Sequence, residues 1–337
     1  DTSINMAMQP FKMMVGDMVN EKQKGLAYSI QSFLCNAGSL VGFLFPFIFT
    51  WIGISNIAPQ GVVPDSVIYS FYIGAAILIL CVIYTTVKVK EMPPAEYAEY
   101  HGITEEEEKE KINMVKLLIK APKAFWTVGL VQFFCWFAFM FMWTYTNGSV
   151  AANVFDAPTV ETAVNGVSKV MLDTKSIQYQ DAADWVGVLF AVQAIGSVLW
   201  AVCIPLFKDR KLIYSLSLVL GGLGFISTYF VHNQYVLFIS FLLIGCAWAA
   251  MLALPFTILT NALSGGHMGT YLGLFNGTIC IPQIVAASLG GSILALFTPK
   301  GMLPPEINML VMAGVMLIIG AVCVYLIKET KGEQTKA

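Results

Sequence analysis

The sequence predicts an all-α, polytopic membrane protein, and three observations carry that prediction. Apolar residues make up 57% of the 337 and charged residues 12%, with a mean hydropathy of +0.71. A soluble domain would be about half apolar and a quarter charged. Apolar runs of about 20 residues, the length that crosses a hydrocarbon core of about 30 Å, recur along the chain. Short charged connections separate them, as in Asn20-Glu21-Lys22-Gln23-Lys24 and Lys208-Asp209-Arg210-Lys211, so neighbouring runs are antiparallel. Lipid offers the backbone no hydrogen-bonding partner, which makes runs of this length helices.

Nine spans are expected, at about 1–18, 25–52, 67–88, 124–145, 184–207, 212–231, 235–260, 269–297 and 307–327. The first carries Asp1, Asn5, Gln9 and Lys12 at spacings of four, four and three, a polar stripe along one helical face, and closes on Asp17. The second holds Gln31 and Asn36. After the third, residues 89–123 change character, with Pro93-Pro94, an acidic run from Glu105 to Glu108, and then Ile112, Val115, Leu118 and Ile119 set between lysines. That pattern is an amphipathic helix lying on the membrane surface. The fourth span contributes Gln132, Trp136, Trp143 and Tyr145, and a second long connection, 146–183, follows it. The fifth holds Gln193 and Trp200, and the seventh Trp248. The eighth holds Asn276 and Gln283 on one face, with Pro282 between them expected to loosen the backbone. Gly38-x-x-x-Gly42, Gly273-x-x-x-Gly277, Gly221-Gly222 and Gly290-Gly291 read as close helix contacts.

Alternate connections lie on one side of a membrane, and the basic residues are split unevenly between the two sets. Fifteen fall on one set, while Lys169, Lys175 and Lys300 alone fall on the other. The positive-inside rule therefore places 89–123 and the C-terminus in the cytoplasm. Lys12 and Asp17 mark the cytoplasmic edge of the first span, only about eleven residues or 16 Å from Asp1. Asp1 would then sit near the midplane, so the chain is expected to be a fragment whose upstream helices are absent. Six spans follow the linker and three precede it. The organisation expected is 1–88 as a truncated first half (helices four to six), 89–123 as the linker, and 124–337 as a complete second half of a twelve-helix protein.

Several classes of function are excluded. Cys35, Cys81, Cys135, Cys203, Cys246, Cys280 and Cys323 all lie within apolar runs and read as packing residues, while His101, His232 and His267 lie in connections. No metal, haem or other cofactor is expected. A net charge of −2 argues against a nucleic-acid partner, and no nucleophile and base stand together to make an intramembrane enzyme. The partner implied directly is the bilayer.

Polar side chains inside spans are costly unless they face a bundle interior or a wet cavity. Asn5, Gln31, Asn36, Gln132, Gln193, Asn276 and Gln283 are neutral amides, and Trp136 and Trp248 lie among them. Neutral donors and acceptors beside aromatic rings suit a polyhydroxylated ligand, whose hydroxyls pair and whose C–H faces stack. Interhelical hydrogen bonding is the competing reading of each amide. Trp143 and Tyr145 could equally anchor a membrane interface.

The residues resemble a known family, the sucrose and maltose type sugar:proton symporters of the major facilitator superfamily, related to the glycoside–pentoside–hexuronide group and the solute carrier 45 proteins. The fourth helix of that family carries Asp, then Asn, Pro, a basic residue and Asp at offsets of four, nine, eleven and sixteen, matched here by Asp1, Asn5, Pro10, Lys12 and Asp17. Gln132 with Trp136-Phe137-Ala138, Gly245 to Trp248 with Pro255-Phe256, and Gly273-Leu274-Phe275-Asn276 with Ile281-Pro282-Gln283 extend the resemblance along the chain. It implies twelve helices in two halves around a central cavity, alternating access, a sugar and a proton as partners, and Asp1 as the proton-coupling carboxylate. Asp209 and Arg210 resemble the charged turn that latches helix ends in the superfamily, and with Lys12 and Asp17 they are the expected gating residues. Two departures stand out: Lys12 replaces the usual Arg, and Thr146-Asn147-Gly148 stands where plant members carry an Arg-Glu pair. Sparse arginine, many methionines and compact loops favour a bacterial inner-membrane protein. A non-transporting membrane sensor or scaffold on the same fold is the alternative.

Overall fold

The computed structural model describes residues 23–54, 65–90, 114–164, 167–207, 209–262, 268–299 and 301–327, with a few single positions besides. Asp1, Asn5, Lys12 and Asp17 lie outside the described residues, as do Glu105 to Glu108 and Lys300.

The helices are α1 (Lys24–Trp51), α2 (Asp65–Lys88), α3 (Met114–Lys120), α4 (Lys123–Asn153), α5 (Ile177–Cys203), α6 (Arg210–Ser227), α7 (Leu237–Ala262), α8 (Met268–Phe275), α9 (Gly277–Phe297) and α10 (Ile307–Cys323). Seven membrane-length apolar helices stand among the described residues, where nine spans are expected. These are α2, α4, α5, α6, α7, α10 and the run Thr270–Phe297 that joins α8 to α9. The chain is a multi-pass membrane protein.

The second half forms the core. The helix α4 packs along α10 and α9 and also meets α7 and α5; α6 lies against α7 and α10; α5 packs on α7 and reaches across to α1. The side chains at this centre are apolar and aromatic, with Phe139, Phe141, Phe225, Phe241 and Phe275 fully enclosed. By contrast α2 turns large apolar side chains outward on all sides, Phe71, Tyr72, Leu80 and Val87 among them, as a helix solvated by lipid or by further helices does.

Two helix boundaries differ from expectation for local reasons. Expected to end at 145, α4 runs on to Asn153, 31 residues or about 46 Å, well beyond a hydrocarbon core of about 30 Å. The polar residues of its last two turns bond back into the helix: Thr146 Oγ1 to the Met142 carbonyl (2.6 Å), Ser149 Oγ to that of Tyr145 (2.7 Å) and Asn153 Nδ2 to that of Ser149 (2.8 Å). Asp156, with φ of 49°, ends the run. Seven residues earlier than expected, α5 starts at Ile177, capped by Ser176 Oγ, which accepts from the Tyr179 N–H at 3.3 Å.

The connection 146–183 also holds, among the described residues, the one departure from an all-α fold. Strands β1 (Thr159–Val164) and β2 (Val167–Leu172) pair antiparallel, Val164 opposite Val167, with Asn165-Gly166 as the two-residue connection. In the linker, α3 lodges against the bundle: Tyr271 Oη donates to the Leu117 carbonyl (3.3 Å), Leu118 packs on the core, and Val115 and Ile119 face outward.

Glycine contacts correct part of the sequence reading. A Cβ on Gly222 would lie 2.9 Å from the Gly314 carbonyl, and one on Gly290 would lie 2.5 Å from Tyr145 Oη, so both mark real close approaches. At Gly38, Gly42, Gly273 and Gly291 a Cβ would meet nothing within 4 Å among the described residues. Among the described residues, no contact seam runs through the two G-x-x-x-G pairs. The seams run instead through Gly196 and Gly245, where α5 meets α7, and through Gly222 and Gly314, where α6 meets α10.

Candidate functional site

The site begins with what a proline cannot do. Pro255 lies inside α7 and has no N–H, so the carbonyl four residues back, that of Met251, loses its helical partner. Gln132, fully buried on α4, replaces it: Nε2 donates to the Met251 carbonyl at 3.0 Å. The other end of the amide, Oε1, is buried and accepts from nothing among the described residues. One side of Gln132 is thus structural and the other is unspent.

Around it stands an aromatic cluster. Trp136 and Trp143 follow Gln132 by four and eleven residues, one face of α4. Both meet Trp248 of α7, with ring centroids at 5.8 Å and 5.7 Å, and Phe139 closes on Trp248 at 4.9 Å. The Trp136 indole N–H is buried and also lacks a partner among the described residues. Trp143, read from sequence as a possible interface anchor, is partly exposed but engaged with Trp136 at 6.4 Å and with Trp248. Tyr145 is buried against Phe141 and Gly290 and does not face an interface.

The joint between α8 and α9 approaches the first turns of α4. Phe275 packs edge-on against Phe125 at 5.7 Å, and Thr278 Cγ2 fills the space left at Gly129. Asn276 sits at the joint itself. Its backbone N–H is shared between the carbonyls of Leu272 and Gly273, both at 3.2 Å, which is where the helix is interrupted. Sequence placed the weakness at Pro282, yet α9 passes through Pro282 unbroken. Among the described residues, Asn276 Nδ2 has only a 3.8 Å contact to Cys280 Sγ, and Oδ1 is buried without a partner. Gln283, two turns on, is partly exposed.

The remaining expected residues divide by what they touch. Asn36 is buried and accepts from Ser197 Oγ at 2.9 Å, a bond between α1 and α5. One turn or so earlier on α1, Gln31 leaves Nε2 buried and unpartnered among the described residues. Gln193 is buried on α5, and its carbonyl presses on Gly245 of α7. Trp200 spends its N–H on Ser217 Oγ (2.8 Å), a tie between α5 and α6. Asp209 caps α6, accepting from the N–H groups of Lys211 (2.9 Å) and Leu212 (3.1 Å), while Arg210 is exposed beside it. Met251 and Ser197 were missed by sequence reading. The first was signalled by Pro255 four residues on; the second carried no signal, since a serine in an apolar run is common.

Gln132 Oε1, Trp136 Nε1, Asn276 Oδ1 and Gln31 Nε2 are therefore two acceptors and two donors left unpaired inside apolar helices. Buried polar atoms are normally paired, and exceptions mark places where a ligand or water completes the bonding. All four belong to neutral side chains, on α1, α4 and the α8–α9 joint.

The model of the Major Facilitator Superfamily matches residues 4–171 and 150–337. No curated protein matches the chain. Together the two matches span nearly all of it, and the chain belongs to the major facilitator superfamily.

Proposed function

We propose that this superfamily member is a secondary active transporter that takes up a di- or oligosaccharide together with a proton, by alternating access, across a bacterial inner membrane. Superfamily membership makes it a membrane transporter; the sugar, the proton and the direction are the proposal. The observation that carries it is the unpaired Gln132 Oε1 beside the unpaired Trp136 N–H and the Trp136, Trp143 and Trp248 rings. A hydroxyl can donate to the first and accept from the second, while a sugar C–H face stacks on an indole.

On this reading Gln132, Trp136, Trp248, Asn276 and Gln283 contact the sugar, with Gln31, Asn36 and Gln193 contributing from α1 and α5. Asp1 and Asn5, outside the described residues, take the proton-coupling and adjoining roles that the family resemblance implies. A carboxylate deep in lipid crosses the occluded state best when protonated and neutral. Lys12, Asp17, Asp209 and Arg210 would gate. The halves are 1–88 and 124–337, joined by 89–123.

Counterflow into proteoliposomes with a panel of labelled disaccharides tests the proposal. Exchange of at least one, lost in Gln283→Ala with the protein still folded, is expected. Absence of exchange for every sugar in the panel would return the choice to a sensor or scaffold.

A further inference from the structure

Glu306 stands immediately before α10, on the connection from α9, at the end of the bundle remote from the lysine-rich connections. Its carboxylate lies against Gly148, near the far end of α4. A Cβ on Gly148 would collide with Oε2 and lie 2.8 Å from Oε1, so any larger residue there expels the group. The notch is made by a missing side chain and supplies no counter-charge. Among the described residues the carboxylate, half-buried, has neither a hydrogen bond nor an ion pair.

Glu306 is the N-cap residue of α10, yet its side chain accepts from none of the first-turn backbone N–H groups. Asn147, next to the notch, spends Nδ2 on Tyr179 Oη (2.9 Å) and leaves Oδ1 buried and unpartnered among the described residues. The titratable group facing Glu306 from α4 is Tyr145, close enough to feel its charge. No charged residue occurs in α9, and those of α6, Arg210 and Lys211, sit at its opposite end. His232, in the turn between α6 and α7, contacts the Asn153 carbonyl at 3.2 Å. Asp156 follows α4, and Lys300, six residues before Glu306, lies outside the described residues. Ionised Glu306 would place a charge in the notch with no ion-pair partner among the described residues, whereas neutral Glu306 would not.

We infer that Glu306 is a proton-binding site of the C-terminal half, seated in the Gly148 notch between α4 and α10 when neutral and driven toward water when ionised. Burial acts in the same direction, pushing the carboxyl up to about 7. Its protonation is thereby tied to the pH of the compartment that this end faces, separately from any proton carried with substrate. The inference needs only the fold and holds whatever the transported molecule is.

Infrared titration of the purified full-length protein tests it without any substrate. The protonated-carboxyl band should contain a component with a midpoint near pH 7, absent in Glu306→Gln, a variant that keeps the neutral shape and the fold. Gly148→Ala should push the carboxylate into water and lower that midpoint by about one unit or more, toward an ordinary carboxylate. Lys300→Ala should leave it in place. If Glu306→Gln removes no component titrating above about pH 6, or if Lys300→Ala moves the midpoint as far as Gly148→Ala does, the inference is wrong.

Discussion

One end of the Gln132 amide holds the Met251 carbonyl, and the other, on the proposed reading, meets the sugar. Removing it in Gln132→Ala leaves the Met251 carbonyl unpaired inside α7, at a cost of about 1–3 kcal/mol. The melting temperature should fall whether or not a ligand is present. Trp136→Phe differs, because the indole N–H has no partner to lose among the described residues. Stability should hold while sugar affinity drops by about tenfold, the worth of one hydrogen bond; equal affinity in a direct binding assay would take the N–H out of the site. Glu306 gives a pH dependence with a definite sign. An unfolded Glu titrates near 4.3, the folded one near 7, so between these values the folded state holds the proton that the unfolded state has lost. The contribution of Glu306 to stability is then fully present below about pH 4, declines as pH rises, and is lost above about pH 7. Thermal melts across that range should show the slope in the wild type and a shallower one in Glu306→Gln.

Element by element, the sequence exposed the apolar helices and hid what joins them. Run length and hydropathy were enough to locate α2, α6, α7 and α10 closely, because lipid leaves the backbone few alternatives. The extension of α4 was concealed by polar residues that look like loop but bond to their own helix, as Thr146 and Ser149 do. The hairpin was legible and overlooked: Asn165-Gly166 between β-branched strands is a strong short-range turn signal. Glycine spacing misled, since a seam depends on which neighbour arrives and no single helix records that. Gly222→Ala should destabilise the protein by about 1–3 kcal/mol, its Cβ meeting the Gly314 carbonyl, while Gly291→Ala should be silent. Matching melts for the two variants would refute the α6–α10 seam.

At the scale of the molecule, the proposed site draws on helices far apart in sequence: Gln132 on α4 meets Met251 of α7, Trp136 meets Trp248, and Asn276 stands at the α8–α9 joint. The residue types were readable as neutral amides among aromatics. The pairing of Gln132 with a proline-freed carbonyl was not, because it requires knowing that α4 and α7 are neighbours. Charge asymmetry supplies a further expectation, that 89–123 faces the cytoplasm. A Glu105→Cys variant in intact cells should resist an impermeant thiol reagent and react only after lysis; labelling from outside would invert the orientation. On the proposed reading, a neutral sugar is driven by protons through this bundle. The most direct measurement is accumulation of the labelled disaccharide chosen by counterflow, in proteoliposomes of the full-length protein with an imposed pH gradient. Uphill accumulation that collapses when a protonophore is added is the predicted result, and accumulation indifferent to both the gradient and the protonophore would contradict it.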